Sequence, residues 1–300
     1  VGPRRYLVPS RPRHVATLVQ LLMPVPWLRG LDGRLRLAFD WRDPAVRRFL
    51  VLMLPVTLTL GLINVSTVIG TLFASRLIDP DLAPRAIDLA FRLYMLPQGI
   101  FSVAVATVVF PTLSRFAARG ALDDLRATMA NGMRQIVLLL TPAAAAILVL
   151  SEPMIRLVYE RGEFGPSQTD LVATALFWFS FPLPFNGLFL LLTRTFFSLQ
   201  RPWVPTAISA GNLIITALGA LALYGPFGVG GIVAATAIAT ASSVTAQCVV
   251  LRDALGGLEL GRLASSSLRI GVASAVLAGV SYGVWTLLDD ALGRGLGAQI

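Results

Sequence analysis

Six apolar stretches of this chain, at 49–75, 93–114, 135–151, 171–193, 202–251 and 270–288, contain no Asp, Glu, Lys, Arg or His. Unpaired backbone groups are costly in hydrocarbon, so a run of about 20 such residues that crosses a bilayer does so as a helix. Five of the stretches suit one crossing each. The stretch 202–251 is too long for one, and Gly225-Pro226-Phe227-Gly228 with Gly230-Gly231 interrupts it near its middle. The expected fold is all-α, a polytopic helical membrane protein with about seven transmembrane helices. An earlier apolar run, 14–28, is short and holds Pro24 and Pro26; it reads as a helix stump or an interfacial segment.

Charged residues are only 14% of the chain, against roughly a quarter in soluble domains. Every basic residue other than His14 is Arg. Threading seven alternating crossings puts nineteen arginines on the side of the N-terminal segment and five on the other, with Arg92 left inside a span. The first side is cytoplasmic by the positive-inside rule. The net charge of +9 therefore reads as topology, and a nucleic-acid partner has no support. The single thiol, Cys248, rules out a disulfide within the chain. No cleavable signal peptide is visible, and an initial Val with an odd number of crossings points to a fragment.

Arg92 is the residue that points to function. An ionisable group at membrane depth is costly, and it faces a protein interior or a watery cavity where it marks a path for polar cargo. Its planar guanidinium matches the paired oxygens of a diphosphate. A purely structural reading also stands, an ion pair with Asp88 four residues earlier on the same helix face. The two are compatible, since Asp88 can hold the arginine until cargo arrives. Asn64, Asn186 and Asn212 are polar groups at membrane depth that line a cavity, bind a cation together with Thr236, or hydrogen-bond neighbouring helices. Arg194, at the cytoplasmic end of its span, either snorkels to the surface or helps admit an anionic head group.

Local signals add detail. Pro97 and Gly99 permit a bend in the second span, and Pro182 with Pro184 in the fourth. The segment 152–159 is amphipathic and reads as a helix along the outer surface, turned back by Arg161-Gly162-Glu163-Phe164. Asp40-Trp41-Arg42-Asp43-Pro44 resembles a cap, with Trp41 at the interface. Small residues such as Ala207, Gly211, Gly219, Ala235 and Ala239 suit close helix packing. An enzyme acting on a polyprenyl phosphate is the rival reading, but the spans hold no cluster of carboxylates or histidines, and there is no P-loop.

Several blocks taken together resemble a known family. They are Phe91-Arg92-Leu93-Tyr94-Met95-Leu96-Pro97-Gln98-Gly99-Ile100-Phe101, Phe110-Pro111-Thr112-Leu113-Ser114-Arg115, Glu152-Pro153-Met154-Ile155-Arg156-Leu157, Tyr159-Glu160-Arg161-Gly162-Glu163-Phe164 and Leu191-Leu192-Thr193-Arg194-Thr195-Phe196-Phe197-Ser198-Leu199. In order and spacing they are similar to the MurJ/MviN lipid II flippases, within the multidrug and oligosaccharidyl-lipid exporter superfamily.

The resemblance implies two six-helix lobes around a central cavity, followed by extra helices. This chain then corresponds to the second lobe and one extra helix. The implied domains are a basic entry segment at 1–48, a six-helix lobe at 49–262, and an additional helix with an outer tail at 263–300. The implied role is part of a lipid II flippase, moving an undecaprenyl-diphosphate-linked peptidoglycan precursor to the outer leaflet by alternating access. Export of another lipid-linked oligosaccharide and a non-transporting scaffold subunit are the alternatives.

Partners implied are the lipid-linked precursor, membrane lipids and the missing N-terminal lobe, at a multi-pass location in the bacterial inner membrane. No enzyme activity and no cofactor are expected. The membrane potential and a monovalent cation are both open as driving forces. Among family cavity arginines only Arg92 has a match here, and Gly70 stands where relatives often carry an acid. The expected substrate-binding residues are Arg92, Asp88, Asn64, Asn186 and Arg194.

Overall fold

The computed structural model describes Val19, Met23 and residues 43–160, 164–258 and 260–292. Trp41, most of the entry segment, the Arg161-Gly162-Glu163 turn and the tail after residue 292 lie outside the described residues. The chain divides into two units, Val1–Phe49 and Leu50–Ile300. In the first, Met23 N–H donates to the Val19 carbonyl at 2.8 Å. The account below concerns the second.

Among the described residues the secondary structure is eight α-helices and one π-helical segment. They are α1 (Pro44–Leu77), α2 (Leu82–Pro97), the π-helical segment Gln98–Val103, α3 (Ala104–Arg119), α4 (Leu122–Tyr159), α5 (Pro166–Ser180), α6 (Pro182–Ser198), α7 (Trp203–Leu255) and α8 (Leu260–Leu292). Among the described residues, five helices or continuous helical runs are long and apolar enough to cross a membrane, and the pair α5–α6, bent by 47°, makes a sixth. The 53 residues of α7 would extend about 80 Å, far beyond a hydrocarbon core of about 30 Å. Non-helical backbone at Gly228 (φ 54°, ψ −130°) splits α7 into two arms. Counted separately, the arms bring the crossings to the expected seven.

Each break has a local cause. The Pro97 ring removes one helical donor and crowds the turn before it, and the widened π-helical turn follows at once. The 47° bend lies at Phe181, immediately before Pro182. In α4 the backbone leaves helical geometry at Leu150 (φ −100°, ψ 16°), three residues before Pro153. At Gly228 a side chain would meet nothing within 4 Å. The demand there is the positive φ, which glycine adopts without penalty.

The segment 152–159 departs from expectation. It is the end of α4 beyond the kink, with Ser151, Ile155 and Arg156 buried, and the Tyr159 hydroxyl reaches the Leu89 carbonyl on α2 at 3.4 Å. It packs into the bundle instead of lying along a surface, because the Pro153 kink redirects the last turns of a helix whose earlier part already crosses the core.

α4 is the centre of the bundle, in contact with α3, α5, α6 and α8. Its buried face runs Leu125, Met129, Met133, Ile136, Leu140, Ile147, the three-and-four spacing of one helical stripe. Small residues set the close approaches. A Cβ on Gly187 of α6 would stand 2.7 Å from Ile136 of α4 and 3.0 Å from the Ser102 hydroxyl, and one on Gly219 would stand 3.0 Å from Ala235 across the two arms of α7. Gly230 leaves room for Trp178, and Gly231 for the Leu223 carbonyl. Gly211, by contrast, has open space, and Ala207 is exposed.

Candidate functional site

Within the second unit, α1, α2, α5, α6 and both arms of α7 contribute side chains to a cavity of about 660 Å³. Polar side chains reach it in helical register. The first arm of α7 presents Ser209, Asn212 and Thr216, the second Thr236 and Thr240, and α6 presents Asn186 and Thr193. Steps of three, four or seven residues keep each set on one face. Sequence reasoning singled out Asn186, Asn212 and Thr236 as cavity groups but missed the other hydroxyls, whose recurrence at that spacing inside apolar spans was the available signal.

Most of these groups are tied down. Asn212 Nδ2 donates to Ser243 Oγ at 2.9 Å, Gln247 Nε2 to Thr193 Oγ1 at 3.0 Å, and Thr240 Oγ1 to the Thr236 carbonyl at 2.7 Å. Ser209 Oγ is buried with no protein partner among the described residues. One wall is aromatic. Phe91 stacks on Tyr94, and Phe179 packs tilted against both, with ring centroids 5.2 to 5.7 Å apart, and Asn186 Nδ2 donates to the Tyr94 hydroxyl at 2.6 Å.

Among the described residues, two charged ones, Asp88 and Arg194, line the cavity. Threading the crossings in order places them toward opposite ends, since Asp88 lies in the second turn of α2 and Arg194 near the end of α6. Arg194 sits with its guanidinium carbon 5.8 Å from the Phe110 ring centroid, a cation–π contact. Arg92 is beside the cavity, not among its lining residues; its Nε donates to Asp88 Oδ2 at 3.0 Å, and its side chain is 67% exposed.

Thus Asp88, Asn186 and Arg194 share one cavity, with Arg92 clasped to the first. Asn64 does not join them. It is exposed on α1 and its amide donates to the Leu60 carbonyl one turn back at 2.9 Å. Gly70 does line the cavity, and a side chain there would meet nothing within 4 Å.

Hydroxyls, amides and one charge of each sign suit the reversible holding of a polar, anionic group. A multi-helix bundle around such a cavity defines a polytopic membrane protein with an intramembrane binding site.

A family model described as "Lipid II flippase MurJ" matches residues 14–295, and the chain belongs to that family. It is a multi-pass protein of the bacterial inner membrane. It is 34% identical over 227 residues to the "Probable lipid II flippase MurJ" of Rhizobium meliloti, covering 75% of this chain and 41% of the relative. The Rhizobium tropici protein of the same description is 30% identical over 94% of this chain and 52% of its own length. The chain spans about half the length of the curated relatives it matches. Its fold is similar to a solved "Lipid II flippase MurJ, inward closed conformation", with a TM-score of 0.68 at 19% identity over 95% of this chain and 58% of that one.

Proposed function

We propose that this chain is the second lobe of a lipid II flippase and that its cavity holds the anionic head group of an undecaprenyl-diphosphate-linked peptidoglycan precursor while the lipid tail stays in the bilayer. The observation that carries the proposal is a mostly apolar cavity holding hydroxyls, amides and Asp88 in its lining, with Arg92 clasped to Asp88 beside it and Arg194 toward the other end. Arg92 exchanges Asp88 for a phosphate, because its solvent-exposed contact with Asp88 through Nε is weak and a diphosphate offers its planar donor fork a bidentate partner of higher charge.

A first lobe, on the same protein or another chain, faces the cavity, and rocking of the lobes moves the head group outward. The working division is the entry segment 1–48, the lobe 49–262 and the additional helix 263–300. The chain acts as a carrier and not as an enzyme, since leaflet exchange makes and breaks no covalent bond. A potential of 100 mV, negative inside, supplies about 2.3 kcal/mol for each negative charge moved out, with no cofactor; a coupled monovalent cation is the other source.

The test is rescue of bacteria depleted of their own lipid II flippase by this chain expressed with the first lobe of the Rhizobium meliloti relative. Growth with the intact chain and none with Arg92→Ala, both inserted, is the expected result. Failure of an inserted intact chain overturns the cargo assignment in favour of another lipid-linked oligosaccharide or a scaffold role.

A further inference from the structure

A second cleft, of about 350 Å³, lies between α4 and α8, away from the cavity described above. Its walls are Leu138 and Pro142 on α4 with Ile270, Ala273 and Leu277 on α8, almost entirely apolar, and the remaining lining residues are Arg269 and Ser274. Leu138 and Leu277 are exposed on the bundle's outer surface, so the cleft opens toward lipid. Arg269 is exposed and makes no ion pair among the described residues. Ser274 is 3% exposed, and its hydroxyl has no hydrogen-bond partner among the described residues.

We propose that this cleft binds one anionic glycerophospholipid of the arginine-rich, cytoplasmic leaflet, with its phosphate on Arg269, an ester carbonyl on Ser274 and an acyl chain along Leu138, Pro142, Ala273 and Leu277. The order of chemistry along α8 carries the assignment. Arg269 comes first from the arginine-rich side, Ser274 follows about 7.5 Å deeper along the helix axis, and the apolar wall continues to Leu277. A glycerophospholipid has the same sequence of groups from surface to midplane: phosphate, ester, hydrocarbon.

A guanidinium at the cytoplasmic end of a span snorkels to the head-group level, where the cytoplasmic leaflet supplies an anionic partner. The buried hydroxyl needs an acceptor, because an unmade hydrogen bond in an apolar site is costly. Rotation of Ser274 about χ1 between staggered wells turns its hydroxyl to the ester. A polyprenyl phosphate has no ester carbonyl to accept that bond.

The site is tested by native mass spectrometry of the detergent-released chain with added phosphatidylglycerol, the phosphatidylcholine of the same acyl chains, or undecaprenyl phosphate. The expected result is one retained phosphatidylglycerol in preference to phosphatidylcholine. Arg269→Gln weakens retention at least about five-fold, the factor for one basic residue at an anionic surface. Ala273→Trp, which fills the cleft, abolishes it, and Arg252→Gln leaves it unchanged. Arg269 and Ala273 are exposed, so both variants keep the fold. Equal retention by wild type, Arg269→Gln and Ala273→Trp overturns the proposal, as does undecaprenyl phosphate displacing phosphatidylglycerol at equal concentration. Neither outcome depends on transport.

Discussion

Arg92 and Asp88 form an ion pair of 3.0 Å on a face of α2 where the two side chains are 67% and 59% exposed. Exposed pairs at this helical spacing contribute only about 0.3–0.5 kcal/mol, so stability gives little reason to keep both charges in a span. Arg92→Ala is therefore expected to shift unfolding free energy by less than about 0.5 kcal/mol while abolishing rescue. Parallel loss of folding and rescue would make the pair structural.

Arg92→Lys keeps the charge but replaces a planar fork with a point donor. Rescue is expected at a reduced rate, between those of Arg92 and Ala. A lysine variant as active as the parent would remove the case for bidentate phosphate contact.

The Tyr94 hydroxyl, almost wholly buried, accepts from Asn186, which itself faces the cavity. The two substitutions at this contact are unequal for that reason. Tyr94→Phe leaves an Asn186 amide that turns to the cavity, at a cost of about 0.5–1.5 kcal/mol. Asn186→Leu leaves the buried hydroxyl unmatched, at about 1–3 kcal/mol. Thermal unfolding of both variants in detergent measures the difference, and the reverse order would refute the assigned contact.

The breaks in this fold were legible because they are written in backbone chemistry. Pro97 precedes the π-helical segment, Pro182 the 47° bend, and the Gly225–Gly231 stretch contains the split at Gly228. The rotation of each helix about its axis was far less legible. Lipid is as apolar as a protein core, so a span can be hydrophobic all round with no stripe to say which face looks inward. Asn64 and Asn186 look alike in sequence, yet one is exposed and not among the cavity's lining residues and the other lines it. Arg156 read as a surface residue because nothing local says that a helix redirected at Pro153 tucks its end against α2.

Gly228 and Gly230 separate two uses of glycine in α7. At Gly228 the space is open and the backbone φ is 54°, so Gly228→Ala is expected to cost about 1–3 kcal/mol through strain. At Gly230 an added Cβ runs into the Trp178 indole, and Gly230→Ala costs about 1–3 kcal/mol through overpacking. Shortening the tryptophan discriminates: Trp178→Leu relieves Gly230→Ala and leaves Gly228→Ala unrelieved. Equal rescue of both would mean that the split at Gly228 is set by packing.

The start of α2 supplies a pH test outside the membrane. Asp79 Oδ1 accepts from the backbone N–H of Asp81 at 2.9 Å and of Leu82 at 2.7 Å, and these bonds hold its carboxyl below the usual carboxylate range, against a small opposing effect of burial. Its charged form is favoured in the folded state, so its contribution is fully present above the ordinary aspartate value near about 3.9. It is lost as pH falls through the lower folded value. Asp79→Ala is accordingly expected to unfold more readily than the parent at pH 7, with the gap closing as both are taken to pH 3 and below. Unfolding midpoints measured across that range decide the matter: a gap that widens on acidification, or none at pH 7, would show that the carboxylate does not cap α2.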